Sequence, residues 1–160
     1  MGNFAPETNF VNNGDFSTAW TSGIPTGWAS DAVSNLTITQ GNDSIVVSNP
    51  TATTKLYQDI EVVAGITYTL SYEYKATHAR FRIWSGFSET AGGSLTYLES
   101  NSSNDELRTN NGYFPIASAF TKKSHTFTIP DGQSFLRLEF RYYSQAGGTF
   151  GLRNVKLIQQ

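Results

Sequence analysis

Residues 56–76 read LYQDIEVVAGITYTLSYEYKA, and the fold follows from this stretch. Before Ala64-Gly65, Leu56, Gln58, Ile60 and Val62 alternate with Tyr57, Asp59 and Glu61. After it, Ile66, Tyr68, Leu70, Tyr72 and Tyr74 alternate with Thr67, Thr69, Ser71, Glu73 and Lys75. A period of two over such a length, rich in β-branched and aromatic residues, marks half-buried strands. The spacing predicts an antiparallel hairpin, with Gly65 supplying the positive φ of a tight reversal. The apolar face of the second strand then needs a cover. A second sheet must supply it, which makes the fold a sandwich.

Outward from this centre the chain repeats the pattern in short pieces. Strands are expected over 36–39 and 44–48, split by Gly41-Asn42-Asp43, and over 79–84, 123–129, 135–143 and 149–158. Turn residues separate them at Ser85-Gly86, Pro130-Asp131-Gly132 and Gly147-Gly148. Upstream, Phe10 and Val11 precede the turn Asn12-Asn13-Gly14-Asp15, and Gly23, Pro25 and Gly27 break the segment between Trp20 and Trp28. No stretch has helical spacing with caps, so almost no helix is expected. The reading is an all-β antiparallel β-sandwich or jelly roll, one domain over residues 1–160. Tyr68, Leu70, Tyr72, Phe127, Ile129, Leu138, Phe140, Val155 and Leu157 are the expected core, and Trp28 is expected to plug one end.

One segment departs from this rhythm. Residues 86–119 form a long polar connection, of the kind that is usually functional or disordered. Tyr97, Leu98 and Leu107 are expected to dock on the sheet, and Tyr113-Phe114-Pro115 to form an anchored aromatic tip.

Composition narrows the function classes. Only 15% of residues are charged and the net charge is -2, so there is no basic excess to hold nucleic acid. No run of apolar residues is long enough for a membrane span. With no cysteine, disulfides, thiol chemistry and cysteine-type zinc sites are excluded. A surface rich in Ser, Thr and Asn suits a secreted or cell-surface bacterial module, expected to act as a monomer. No signal-peptide pattern opens the chain, and Met1-Gly2 reads as the start of a fragment of a longer protein.

NNGDF at 12–16, Gly27-Trp28, the 56–76 stretch and GLRNVKL at 151–157 together resemble the carbohydrate-binding modules grouped around families 4, 9, 16 and 22. The similarity spans Asn13 to Leu157. RFRIWSGF and LRLEFRYY also resemble modules appended to secreted proteins of the Bacteroidetes. The resemblance implies a galactose-binding-like jelly roll attached to polysaccharide-degrading enzyme domains. It also implies a structural calcium near the opening turn and the last strand, with no other cofactor required. Here Ser17 stands where the family often has an acid, and Arg153 puts a cation where oxygen ligands belong. Asp15, Asp43 and Asn154 remain as oxygen donors. The alternative for Asp15 is a turn-former bonded to its own backbone.

Strand alternation sends Phe81 and Ile83 inward, and with them Leu136, Leu138, Phe140 and Tyr142. Arg80, Arg82, Trp84, Arg137, Glu139, Arg141 and Tyr143 then point outward. Were Glu73 and Lys75 in the same sheet, they would share that face. Arginines, carboxylates and aromatics suit a sugar chain: rings lie on Trp and Tyr faces, and hydroxyls bond to Arg and Glu. The arginine excess favours uronate or sulfate groups. Tyr113 and Phe114 would close one side of the groove. The competing reading is cross-strand ion pairing on a solvated sheet, Glu139 with Arg82 or Arg137 with Glu73.

His78 and His125 lie in no metal-ligand or triad spacing, and His125 reads as a surface strand residue. Glu73 and Glu139 are the one candidate glycosidase pair, with arginines around them that work against a general acid. The expected function is therefore non-catalytic: binding a polysaccharide or oligosaccharide and holding an attached enzyme near it. An adhesion or protein-docking module is the alternative.

Overall fold

The computed structural model describes residues 7–20, 23–108 and 112–160. Its strands are β1 (Ala29–Ser30), β2 (Thr37–Gln40), β3 (Ser44–Ser48), β4 (Thr54–Glu61) and β5 (Thr67–Ala76), then β6 (Phe81–Ile83), β7 (Gly86–Ser88), β8 (Ala117–Thr128), β9 (Phe135–Tyr142) and β10 (Thr149–Gln159). The single helical element among the described residues is a 3-10 turn, Val33–Asn35. Two antiparallel sheets result. The first has the order β1-β4-β9-β6, with β7 also paired to β9; the second has the order β2-β3-β10-β5-β8. The architecture is the β-sandwich that the sequence pattern predicts.

The central stretch folds differently from the expected hairpin. β4 pairs with β1 and β9, whereas β5 pairs with β10 and β8, so the two strands lie in opposite sheets. The connection is an arch. Gly65 does have a positive φ, +83°. Its N–H, however, donates to Ile129 O at 2.9 Å, and Val62 N–H donates to Ser134 O at 2.9 Å. The turn is thus tied to β8 and β9 ends instead of closing a two-strand ladder. Alternation specifies which side chains face the core, and both strands keep the expected faces. It says nothing about the partner of each backbone, because that depends on strands distant in sequence.

Between the sheets, Tyr68, Leu70, Tyr72 and Tyr74 of β5 meet Leu136, Leu138, Phe140 and Tyr142 of β9, all buried. Tyr72 sets its ring edge-on to Phe140 at 5.2 Å between centroids, and Phe81 stacks on Tyr142 at 4.8 Å. Every expected core residue is buried, and each large side chain removed from water contributes about 1.5–3 kcal/mol. Trp28 packs against Phe16 at 5.4 Å and Phe140 at 6.3 Å.

Other differences from expectation concern edges. Gly86, expected in a turn, begins β7, which pairs with the same strand as β6. A Cβ at Gly86 would sit 2.9 Å from Thr96 O, because the 96–97 backbone folds back onto this strand. β8 begins six residues earlier than its apolar pattern, since an edge strand can be polar on both sides where little covers it. His125 of β8 is half-buried, not a surface residue: its Nε2 lies 3.1 Å from the Tyr72 hydroxyl.

Candidate functional site

The outer face of the first sheet gathers most of the expected ligand residues. β9 carries Arg137, Glu139 and Arg141, and β6 carries Arg82 opposite Arg141. Trp84 and Tyr143 follow these strands directly. Arg80 N–H and C=O hold both the bend at His78 and Tyr143 N–H. Glu73 and Lys75 are elsewhere, on the outer face of the second sheet, because β5 belongs to that sheet. The expected pairings also change. Arg137 pairs with Asp59, Glu139 with Arg141, and Glu73 with Arg153.

Arg82 is the centre of the face. Its Nε–H donates to the Tyr143 hydroxyl at 2.8 Å, and its guanidinium lies 4.4 Å from the Trp84 ring centroid, 5.0 Å from Tyr143 and 5.7 Å from Tyr113. Arg80 donates to the Tyr113 hydroxyl at 3.2 Å, and the Tyr113 and Tyr143 rings meet edge to face at 5.0 Å. Trp84 also has Arg141 at 5.0 Å and Arg108 at 5.1 Å from its ring. The indole is therefore a support on which guanidinium planes rest, more than an open platform.

Three of the arginines here are matched by carboxylates. Arg137 binds Asp59 through two bonds of 2.8 and 3.0 Å while lying over Tyr57 at 4.4 Å. Hydrogen bonds from Arg137 hold the Asp59 carboxyl below its ordinary range, and Asp59 raises Arg137 in return. Arg141 binds Glu139 at 2.5 Å, and Arg108 binds Asp105 at 2.8 Å. Arg80 and Arg82 have no carboxylate partner among the described residues, which leaves an uncompensated double positive charge beside three aromatic rings.

Two expected ligand residues are inside. Phe114 is 4% exposed, stacked on Tyr74 at 4.6 Å, and its N–H donates to Phe81 O at 2.8 Å. The same alternation that buries Phe114 turns Tyr113 outward. Glu139 is fully buried, covered where Trp84 N–H donates to its C=O and its own N–H donates to Ser85 Oγ. It reaches the face only through Arg141.

Arg108, Asp105, Tyr97, Tyr57 and Asp59 belong to the site without having been singled out for it. Arg108 bridges to Trp84 as a strand-like neighbour, lies 4.1 Å from the Tyr97 ring and is 6% exposed. Asp105, fully buried, accepts from Arg108 Nε–H and from the N–H groups of Glu99 and Leu107. The long connection is thereby pinned onto the sheet as a wall. The outward positions of Tyr57 and Asp59 were legible from alternation; their sheet was not.

The three residues offered for calcium do not all line one cavity. Asp15 and Asn154 line one cavity of about 370 Å³, together with Lys156, but Asp43 lies outside its walls. Asp15 Oδ1 accepts from Ser17 N–H at 3.1 Å and Ser17 Oγ–H at 2.8 Å, which lowers its pKa and makes it a turn-former. Asn154 directs its amide to Glu73. The oxygen-bearing side chains of that cavity are Asn9, Asn13, Asp15, Thr18 and Asn154, with Asp15 its one carboxylate and Lys156 beside it. Among the described residues no group of three or more acidic or histidine side chains is placed to hold a metal ion.

Glu73 and Glu139 lie on different sheets, one half-buried on the outer face and one fully buried, so they do not flank a common sugar. Among the described residues no helix is long and apolar enough to cross a membrane.

The fold is that of jelly-roll carbohydrate-binding modules. A solved CBM4 structure aligns over 94% of this chain and 99% of its own, with TM-score 0.61 and 17% identity. A CBM61 in complex with beta-1,4-galactotriose aligns over 96% and 99%, with TM-score 0.60 and 15% identity. The enzymatically active domain of tailspike protein 4 of bacteriophage CBA120 aligns over 95% of this chain, with TM-score 0.71 and 20% identity. The chain spans 21% of that tailspike chain. No family model and no curated protein matches the sequence.

Proposed function

We propose that this domain binds carbohydrate on the outer face of its first sheet and that its preferred ligand is an acidic polysaccharide. The observation that carries this reading is Arg82, a guanidinium without a carboxylate partner among the described residues, set between Trp84, Tyr113 and Tyr143. A guanidinium held flat on aromatic supports keeps its outer N–H groups in a fixed fork, and that fork matches a uronate or sulfate oxyanion. Arg80 and the Tyr113 hydroxyl extend the donors along the groove. The tyrosine ring edges offer apolar contact to sugar C–H groups. The jelly-roll modules that share the fold support a glycan as the ligand class.

The role is non-catalytic. Such a module raises the effective concentration of an attached enzyme at its polysaccharide without chemistry of its own. A secreted or surface-attached bacterial protein is the setting proposed for it, with the module one part of a longer chain. A docking module would ask for an apolar outer patch. The large exposed apolar residues among those described are Val33, Val63 and Ile116, which lie on separate elements.

Affinity electrophoresis across neutral and acidic polysaccharides tests this reading, using the wild type with Arg82→Ala and Trp84→Ala. Retardation by an acidic polysaccharide, weakened by salt and lost in Arg82→Ala, is the expected result. A folded protein that no polysaccharide retards would end the glycan reading.

A further inference from the structure

The outer face of the second sheet carries its own concentration of charge, and nothing in the reading of the first sheet uses it. Two rows cross β10, β5 and β8 there, and a third joins β10 to β5. Lys156 faces Ser71, which faces Ser124; Arg153 faces Glu73, which faces Lys122; Gly151 faces Lys75. Neighbouring strands are about 4.8 Å apart and outward positions about 7 Å apart along a strand, so the four cations share a patch on the order of 10 by 14 Å. They are four of the chain's eleven Lys and Arg residues, in a chain of net charge -2.

Glu73 is the only carboxylate in these rows, and it is committed to Arg153 at 3.3 Å and to the Asn154 amide. Lys75, Lys122 and Lys156 form no salt bridge among the described residues, although the charge of Lys122 acts on Glu73 across the strand pair. The nearest other acid by register, Asp43, stands in the β2–β3 turn beyond Ser44, the neighbour of Arg153.

Phe120 organises the cluster. The Arg153 guanidinium lies 3.9 Å from its ring centroid and the Lys75 ammonium 4.8 Å. The absence of a side chain at Gly151 makes this packing possible. A Cβ there would come within 2.9 Å of Lys75 Cγ and 3.2 Å of Phe120 Cζ. Arg153 Nε is buried without a partner among the described residues, which leaves a donor unsatisfied beside the ring. Two hollows flank this pair on the same face. One, of about 370 Å³, runs past Lys75, Thr77, Ile116 and Thr149; the other, of about 310 Å³, past Ser71, Glu73, Lys122, Asn154 and Lys156, with the Glu73 carboxylate held by Arg153 and Asn154.

We propose that this face is a second glycan site, which takes an oxyanion-bearing polysaccharide through Lys75, Lys122, Arg153 and Lys156. Charge complementarity selects an anionic ligand. The hydroxyls lining both hollows suit sugar hydroxyls, and the spacing of the cations suits charges repeated along a chain. An acidic peptide could add a strand only at the free edge of β8 and not across Lys75, Arg153 and Lys156, because β10 and β5 are interior strands whose backbone groups are already paired. The two sites lie on opposite sides of the sandwich. One domain would then engage two glycan chains, or two stretches of one chain.

The proposal does not depend on the first site, and the test separates them. Isotope-labelled protein is titrated with an oligogalacturonate and, in parallel, with a sulfated heparin-type oligosaccharide while amide shifts are followed. Shifts across β5, β8 and β10 are expected with at least one of them, and the doubly substituted Lys122→Glu, Lys156→Glu protein should bind there roughly tenfold or more weakly at low salt. Arg82→Ala should leave these shifts in place. Shifts confined to β6 and β9 would overturn this site while leaving the first intact. Shifts confined to β5, β8 and β10 would support this site and remove the first. Equal displacement by hexaglutamate would overturn the assignment of a glycan as the occupant.

Discussion

Arg82 donates its Nε–H to the Tyr143 hydroxyl at 2.8 Å, across the junction between the end of β6 and the end of β9. The bond and the ring together fix the guanidinium plane, so that fewer rotamers are lost when a ligand arrives. Removing only the hydroxyl, with Tyr143→Phe, keeps the ring support. Affinity for an acidic polysaccharide is expected to fall about two- to tenfold, the range of one net hydrogen bond, with the melting temperature unchanged within a degree or so. Titration calorimetry beside thermal denaturation checks this. A variant that binds like wild type would show that the bond plays no part in presenting Arg82.

The Asp59–Arg137 pair joins β4 to β9 through two bonds, with both side chains mostly covered. Hydrogen bonding to Arg137 depresses the folded-state pKa of Asp59 below its ordinary 3.8. Between the two values the unfolded chain holds the extra proton, so stability rises with pH there. The contribution is complete above the unfolded value and is lost as pH falls through the folded one. Asp59→Asn should therefore cost roughly 1–3 kcal/mol at pH 7, and the difference from wild type should close on acidification below pH 4. Urea unfolding at a series of pH values measures it. A difference that stays constant into acid would rule out ionisation as its source.

Tyr142 is completely buried, and its hydroxyl has no partner among the described residues. Burial pushes its pKa far upward, so it stays neutral at any ordinary pH. A buried hydroxyl without a bond costs on the order of 1–3 kcal/mol relative to an apolar group of the same shape. Tyr142→Phe is expected to leave the fold unchanged and raise the melting temperature by roughly 2–12 °C. A lower melting temperature would mean that the hydroxyl is satisfied, by a trapped water, in the folded protein.

Asp105 and Arg108 hold the long connection against Trp84 and Tyr97. Asp105→Ala leaves the Arg108 guanidinium buried and unpaired, a loss of about 3–5 kcal/mol. The wall should open locally before the sandwich unfolds, between its remaining anchors, the Phe87–Thr96 bridge on one side and buried Phe114 on the other. Limited proteolysis is expected to cut the variant between Tyr97 and Tyr113 under conditions that spare the wild type. Equal resistance of the two proteins would show that the pair does not fasten this segment.

Much of this molecule was legible in its sequence. Alternation identified the inward and outward sides of β4, β5, β6 and β9, and from these came the core and the outward-facing arginines Arg80, Arg82, Arg137 and Arg141. A side chain's face is a local property of a pleated strand, repeated every two residues, so one sequence carries it. Strand partnership is not local. Whether β4 pairs with β5 or with β9 depends on contacts some eighty residues apart, and the tertiary structure sent Glu73 and Lys75 to the opposite sheet from Arg82. Depth is equally non-local: alternation turned Glu139 outward, yet in the folded protein its carboxylate is fully buried against Arg141. Phe114, Asp105 and Arg108 sit in a connection without periodicity, where no repeating signal exists to read. The sequence by itself determined the sandwich and the chemistry on its outer positions. The tertiary structure decided which of those positions share a face, because that is set by backbone pairing between distant segments.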